Sequence, residues 1–185
     1  MNEYKMQNAT IDDVPELVLL INGAYRGEHS KKGWTTEALL IEGDRMNETS
    51  LVQMMNKPGV VIRKCITNHD VIVGCVYLET QQKELYLGLL TVTPFNQATG
   101  IGKLILGDAE EIASKQMLSG IVIDVISLRV ELIAWYTRRG FYVTGKTIPF
   151  PTENKFGSRP LQPLELVELK KLIRSGQRNN IPLFL

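Results

Sequence analysis

Residues 85–113, LYLGLLTVTPFNQATGIGKLILGDAEEIA, read as a strand, a turn and then a helix. Leu85 to Val92 is apolar and uncharged, with Gly88 inside it. Pro94 and Asn96 end the run, because proline has no N–H for a strand ladder and asparagine favours turns. Gly100-Ile101-Gly102 opens the helix, whose apolar positions Ile101, Leu104, Ile105, Ala109, Ile112 and Ala113 recur at helical spacing. The first four N–H groups of a helix have no partner within it and carry partial positive charge. Glycines at that point let an anion approach the backbone with no Cβ in the way. The stretch therefore predicts a phosphate or pyrophosphate site made of main chain.

Two familiar phosphate loops do not fit. A P-loop needs Lys-Ser/Thr after its last glycine, and Gly102 is followed by Lys103-Leu104. A dinucleotide fingerprint needs a third glycine where this chain has Ile105. The pattern that does fit is Gln/Arg-x-x-Gly-x-Gly/Ala after a strand ending Val-x-Pro, here Val92-Thr93-Pro94 and Gln97-Ala98-Thr99-Gly100-Ile101-Gly102. This resembles the acetyl-CoA signature of the GNAT superfamily of N-acetyltransferases. A second motif lies downstream at 127–141, SLRVELIAWYTRRGF, where Tyr136-Thr137-Arg138-Arg139-Gly140-Phe141 is similar to the family's Tyr-x-x-x-Gly-Phe helix end. The resemblance spans about Val60 to Leu172, and 131–151 looks like a subgroup of unassigned substrate.

The length of 185 residues suits one domain, taken as 1–173, with a tail at 174–185. Apolar residues make up 44% and charged residues 22%, an ordinary globular mixture. A net charge of +1 creates no field that would recruit nucleic acid or an anionic membrane. No apolar run reaches the length of a membrane span, and the N-terminus is unlike a signal peptide, so a cytoplasmic protein is expected. Cys65 and Cys75 fall on two arms of a predicted hairpin and read as reduced, buried thiols. Two histidines and no Cys/His spacing give no metal site.

Along the chain, Tyr4 to Ala9 reads as a strand and Thr10 as the cap of a helix reaching about Arg26. A polar segment follows, then a short helix at Glu48 to Asn56. Strands are predicted at 60–67, 71–80 and 85–92, then at 122–126, 141–146 and 164–172, the last after a loop at 152–163. The order β-α-α-β-β-β-α-β-α-β-β is an α/β (α+β) domain with a mixed, mostly antiparallel sheet flanked by helices. That agrees with the fold the resemblance implies. The tail ends Ile181-Pro182-Leu183-Phe184-Leu185, either a loose end or a segment docking on this subunit or on a second copy, as a homodimer would allow.

The resemblance implies direct transfer from acetyl-CoA to a small-molecule amine within a ternary complex. On that reading Gly100, Ile101, Gly102 and Lys103 hold the pyrophosphate by backbone N–H, Gln97 and Thr99 belong to the same loop, and Leu90 and Val92 offer backbone groups to the pantetheine arm. Arg129 stands where relatives often carry a cofactor-holding asparagine. Tyr136 is implied as the acid for the leaving thiolate, a phenol that keeps its proton at neutral pH. By period-two alternation Glu84, Tyr86, Gly88, Leu90 and Val92 share one strand face. Some relatives carry a catalytic glutamate where this chain has Tyr86, which leaves Glu84 or Glu79, acting through water, as the expected base. Acceptor selection is expected from Tyr25, Arg26, Trp34, Thr36 and Glu37, with Glu37 pairing a cationic amine and Arg26 suiting a carboxylate. The rival readings are a non-catalytic module that binds acyl-CoA and a phosphate-binding α/β protein of another kind.

Overall fold

A computed structural model of the chain describes residues 4–151 and 158–173. The expected tail and the first half of the 152–163 loop lie outside the described residues. The elements are β1 (Tyr4–Asn8), a 3₁₀ turn (Ile11–Asp13), α1 (Val14–Tyr25), α2 (Gly27–Ser30), β2 (Ile41–Glu42), α3 (Glu48–Met55), β3 (Val60–Thr67), β4 (Ile72–Gln81) and β5 (Glu84–Val92). After a second 3₁₀ turn (Pro94–Asn96) come α4 (Ile101–Lys115), β6 (Gly120–Ile126), α5 (Val130–Thr137), β7 (Tyr142–Pro149), β8 (Arg159–Pro160) and β9 (Glu165–Leu172). The expected order holds, with α2 and the two-stranded ribbon β2–β8 added. Thr10 and Asp13 close a capping box before α1, and Asn47 caps α3 through Ser50 N.

The main sheet has seven strands in the order β1-β3-β4-β5-β6-β9-β7. Every pairing is antiparallel except β5 with β6. Two apolar layers cover the sheet. On one face Ile101, Ile105, Leu106, Ala109 and Ala113 of α4 pack on Leu85, Leu87 and Ile121. On the other, Val14, Leu17 and Ile21 of α1 and Leu51 of α3 pack on Ile62, Tyr77 and Leu89. Burying each such side chain contributes roughly 1.5–3 kcal/mol before entropy is counted. Leu104, read from spacing as part of the α4 stripe, is instead on its exposed rim, and Leu106 takes the core position. Cys65 and Cys75 are free and buried in opposite layers, because Cys75 pairs in register with Lys64 rather than with Cys65.

One irregularity positions everything that follows. Tyr77 pairs with Gly88, but Cys75 pairs with Thr91, so β5 carries one residue more than β4 in that interval. Leu89 takes up the excess as a bulge, with φ of 49°. The strict alternation expected from Glu84 to Val92 breaks there. Tyr86 and Leu89 belong to the α1/α3 layer, whereas Leu90 and Val92 face the α4 layer. β5 and β6 pair only from Glu84–Tyr86 to Gly120–Val122 and then part, while each stays paired to its outer neighbour. The result is a V-shaped gap in mid-sheet.

Candidate active site

Two clefts meet at this gap. The larger, about 550 Å³, runs from Leu90 and Val92 to the start of α4, with α5 as its other wall. Gly100 precedes α4 in a left-handed conformation (φ 98°), and no side chain caps the helix. Leu104 N is the first to bond back, to Gly100 O, so the N–H groups of Ile101, Gly102 and Lys103 have no intrahelical acceptor. A Cβ on Gly102 would stand 3.3 Å from Trp135, against the wall of the cleft. Lys103, Arg138 and Arg139 also line this cleft, and the Arg139 guanidinium lies 3.6 Å from the Trp135 ring centroid. The main-chain donors and three cations suit a polyanionic ligand.

The Gln97 and Thr99 side chains are occupied in shaping the loop. Gln97 accepts from Trp34 N at 2.9 Å and donates to Thr35 Oγ1 at 2.8 Å and Val92 O at 3.2 Å. Thr99 Oγ1 donates to Asn96 O, and the Ile101 side chain is buried in the core. These side chains are thus architectural. Trp34, at 39% exposure, lines the α4-side cleft rather than the second one and tilts toward Trp135 at 6.4 Å.

Tyr136 lines both clefts. Its ring is held edge-on between Trp135 and Phe141 at 4.9 and 5.3 Å. Gly140, in left-handed conformation, turns the chain so that Phe141 reaches that position. Burial, with the nearby Tyr25 phenol second, pushes the Tyr136 pKa well above a phenol's usual value, so it remains protonated. Tyr25 also borders both clefts, and its hydroxyl donates to Leu90 O at 2.9 Å. Burial, with Glu37 second, raises its pKa to about 12.

The smaller cleft, about 230 Å³, fills the V itself between Leu87–Leu90 and Ile123–Ile126. Glu37 stands in its wall between two buried guanidiniums, 3.1 Å from Arg26 Nη2 and 3.1 Å from Arg129 Nη1. Arg129 also donates to Thr35 O at 2.6 Å. Arg129 thus borders both clefts as part of their shared wall, and the Glu37 carboxylate, expected to meet an amine, is already engaged by two cations. Thr36 lines neither cleft and meets Ser30 Oγ at 2.6 Å.

The structure brings neither expected base to the clefts. Glu84 is ion-paired to Lys170, and Glu79 accepts from the Tyr77 hydroxyl at 2.8 Å and from Gln81 at 3.1 Å. Besides the doubly paired Glu37, the acid that borders the smaller cleft is Asp124 of β6, beside the Tyr86 hydroxyl. Its Oδ1 is buried with no hydrogen-bond partner among the described residues. Burial, followed by the neighbouring Glu168, raises its pKa above the ordinary aspartate value. In sequence Asp124 was a lone acid in a Val/Ile strand, and only the parting of β5 and β6 reveals which side it serves. Among the described residues no group of histidines, cysteines and acids is arranged to hold a metal ion.

The model of an acetyltransferase (GNAT) domain matches residues 40–150, more than half of the chain. No curated protein matches the sequence. Solved structures with the same fold include the ribosomal-protein-S18-alanine N-acetyltransferase of Escherichia coli, with 13% identity and a TM-score of 0.69 over 98% of this chain and 99% of that one. A GNAT-family acetyltransferase of Staphylococcus aureus has 17% identity and a TM-score of 0.65, covering 92% and 99%. A spermidine N-acetyltransferase chimera including Vibrio cholerae sequence has 13% identity and a TM-score of 0.67, covering 92% and 96%. At such identities the structures speak for the fold, and the domain match speaks for the family. With the parted strands, the uncapped glycine helix start and the tyrosine between two clefts in place, the chain belongs to the GNAT acetyltransferases.

Proposed function

We propose that the protein transfers an acetyl group from acetyl-CoA to an amine while both are bound. The observation that carries this reading is the meeting of two clefts at Tyr136, one leading to the α4 N-terminus and the other to Asp124. Acetyl-CoA, lying along the larger cleft, supplies a thioester carbonyl activated for attack. The N–H groups of Ile101, Gly102 and Lys103 hold its pyrophosphate, and Leu90 and Val92 border its pantetheine arm. The amine enters from the smaller cleft. Its nitrogen bonds to the acetyl carbon as the carbon–sulfur bond breaks. The sulfur takes the Tyr136 proton, and the proton lost by the amine passes to Asp124, directly or through water. Exchange with solvent restores both groups. Glu79 and Glu84 are replaced in this scheme by Asp124, because their partners hold them away from the gap. Two buried free thiols suit a reducing, cytoplasmic setting.

Tyr136→Phe tests the assignment, since it keeps the ring packing and removes only the acid. Thiol release from acetyl-CoA in the presence of an accepted amine is expected to fall about 10²–10⁴-fold, with CoA affinity nearly unchanged. Turnover close to wild type would remove Tyr136 from the chemistry. CoA binding without amine-dependent thiol release from the wild-type protein would favour a non-catalytic acyl-CoA module.

A further inference from the structure

Arg26 is 7% exposed and forms one wall of the smaller cleft. Only its Nη2 is paired, with Glu37; Nε and Nη1 are buried with no hydrogen-bond partner among the described residues. A guanidinium seldom leaves two donors unmet in a dry wall, because each forfeits its hydrogen bond to water and gains none in return. Such a cost persists where a ligand supplies the missing acceptors. The charge around the cleft points the same way. Glu37 is shared by Arg26 and Arg129, so that cluster keeps one net positive charge. Arg45 adds another: it lies 5.7 Å from the centroid of the Tyr25 ring and has no carboxylate partner among the described residues. Asp124 borders this space from β6, and its buried Oδ1 has no hydrogen-bond partner among the described residues. A polycation would meet net positive charge here, whereas a molecule carrying both signs could satisfy both walls.

We propose that the acceptor amine also carries a carboxylate or an equally compact oxyanion, held by Arg26 with Arg45 beside it, while its amino group lies toward Asp124. The inference rests on the acetyl-transfer reading and narrows its acceptor to zwitterionic amines such as amino acids. Nε and Nη1 lie on different edges of the guanidinium, so each offers an oxyanion a single charge-assisted hydrogen bond. Arg26 is thus a specificity residue that touches the substrate away from the reacting atoms.

The test is a panel of L-amino acids, their carboxamides, and simple diamines, assayed with wild-type protein and acetyl-CoA by thiol release. In parallel, the melting temperature is measured with N-acetyl amino acids and their amides, with and without CoA. At least one acid is expected to exceed its own amide by roughly 10–100-fold in kcat/KM, the worth of a charged hydrogen-bonded contact. Arg26→Gln is expected to collapse that acid-to-amide ratio toward one, mainly through KM, and Arg26→Lys to restore part of it. CoA-dependent stabilisation of Arg26→Gln verifies that the variant is folded. The wild-type panel decides by itself should that variant fail to fold. Amides or diamines turned over as well as acids would overturn the proposal. So would CoA binding with no acid either consumed or stabilising. Failure of CoA to bind would instead remove the acetyl-transfer reading, and the anion claim would then be decided by whether acids stabilise the protein more than amides do.

Discussion

Asp124 and Tyr136 illustrate how differently two residues of one site can be read. Tyr136 is legible in sequence because Tyr-x-x-x-Gly-Phe fixes it on the last turn of a helix, with Gly140 and Phe141 completing its socket. Asp124 is illegible, because its side of the sheet matters only once β5 and β6 have parted. Glu37 was legible as an acid near the acceptor, but its engagement by Arg26 and Arg129 depends on contacts 11 and 92 residues apart in sequence. Asp124→Asn separates chemistry from packing. The raised pKa of Asp124 means that the folded protein holds its proton more tightly than the unfolded chain does. Its carboxylate therefore lowers stability once pH exceeds the folded value, and contributes nothing below the unfolded one near 3.9. Asp124→Asn is expected to be as stable as wild type or more so at neutral pH, with the difference vanishing in acid, as measured by urea unfolding at several pH values. The groups that share this titration are Tyr86 on β5, Glu168 on β9 and Lys146 on β7. In kinetics the same substitution is expected to lower kcat/KM about 10²–10⁴-fold at neutral pH. The acidic limb of the wild-type profile, set above the usual aspartate range, is expected to disappear. A retained limb would place the base elsewhere.

At the level of elements, α4 is tied to the sheet by an ion pair and by apolar packing. Arg63 on β3 makes a bidentate bond to Asp108 on α4, 2.8 Å on each arm, with both side chains largely buried. The Asp108 hydrogen bond is the leading cause of a raised Arg63 pKa, so the pair is held charged. Asp108→Ala leaves that largely buried guanidinium without its carboxylate, and is expected to cost about 1–3 kcal/mol in chemical denaturation. Ile105→Ala, in the fully buried seam between α4 and the sheet, is expected to cost about 2–5 kcal/mol. A loss below 1 kcal/mol at Ile105 would contradict the packing described. Most of these elements were readable from period and turn residues: the α4 start from its glycines, the β3–β4 hairpin from Asn68-His69-Asp70, and α3 as a short helix at Glu48 to Asn56. The bulge at Leu89 was not. Nothing in Gly88-Leu89-Leu90 marks an extra residue, because the bulge is defined by pairing with Cys75 and Tyr77 on another strand. The β2–β8 ribbon escaped notice for the same reason, since each arm is two residues long and is strand only by virtue of the other.

For the whole molecule, the fold works as two outer blocks of antiparallel sheet joined by three residue pairs of parallel strand. The loss of pairing above Tyr86 and Val122 gives up backbone hydrogen bonds within the sheet and leaves room for a ligand to lie between the halves. One cleft ends at unpaired helix N–H groups and cations, the other at an acid and an excess of arginine over carboxylate charge, and a protonated phenol borders both. No helix among the described residues is long and apolar enough to cross a membrane. The central claim is that coenzyme A occupies the larger cleft with its pyrophosphate on the start of α4. Titration of coenzyme A into wild-type protein and into Gly102→Val, by calorimetry with melting temperature alongside, tests it most directly. The added side chain meets Trp135 and projects into the anion's approach while leaving the buried face of α4 untouched. The predicted result is one-to-one binding that raises the wild-type melting temperature, as any ligand of the folded state must. Gly102→Val should then bind at least about tenfold more weakly, a loss of about 1.4 kcal/mol, at little change in its unliganded melting temperature. No binding to the wild type, or equal affinity in the two proteins, would contradict it.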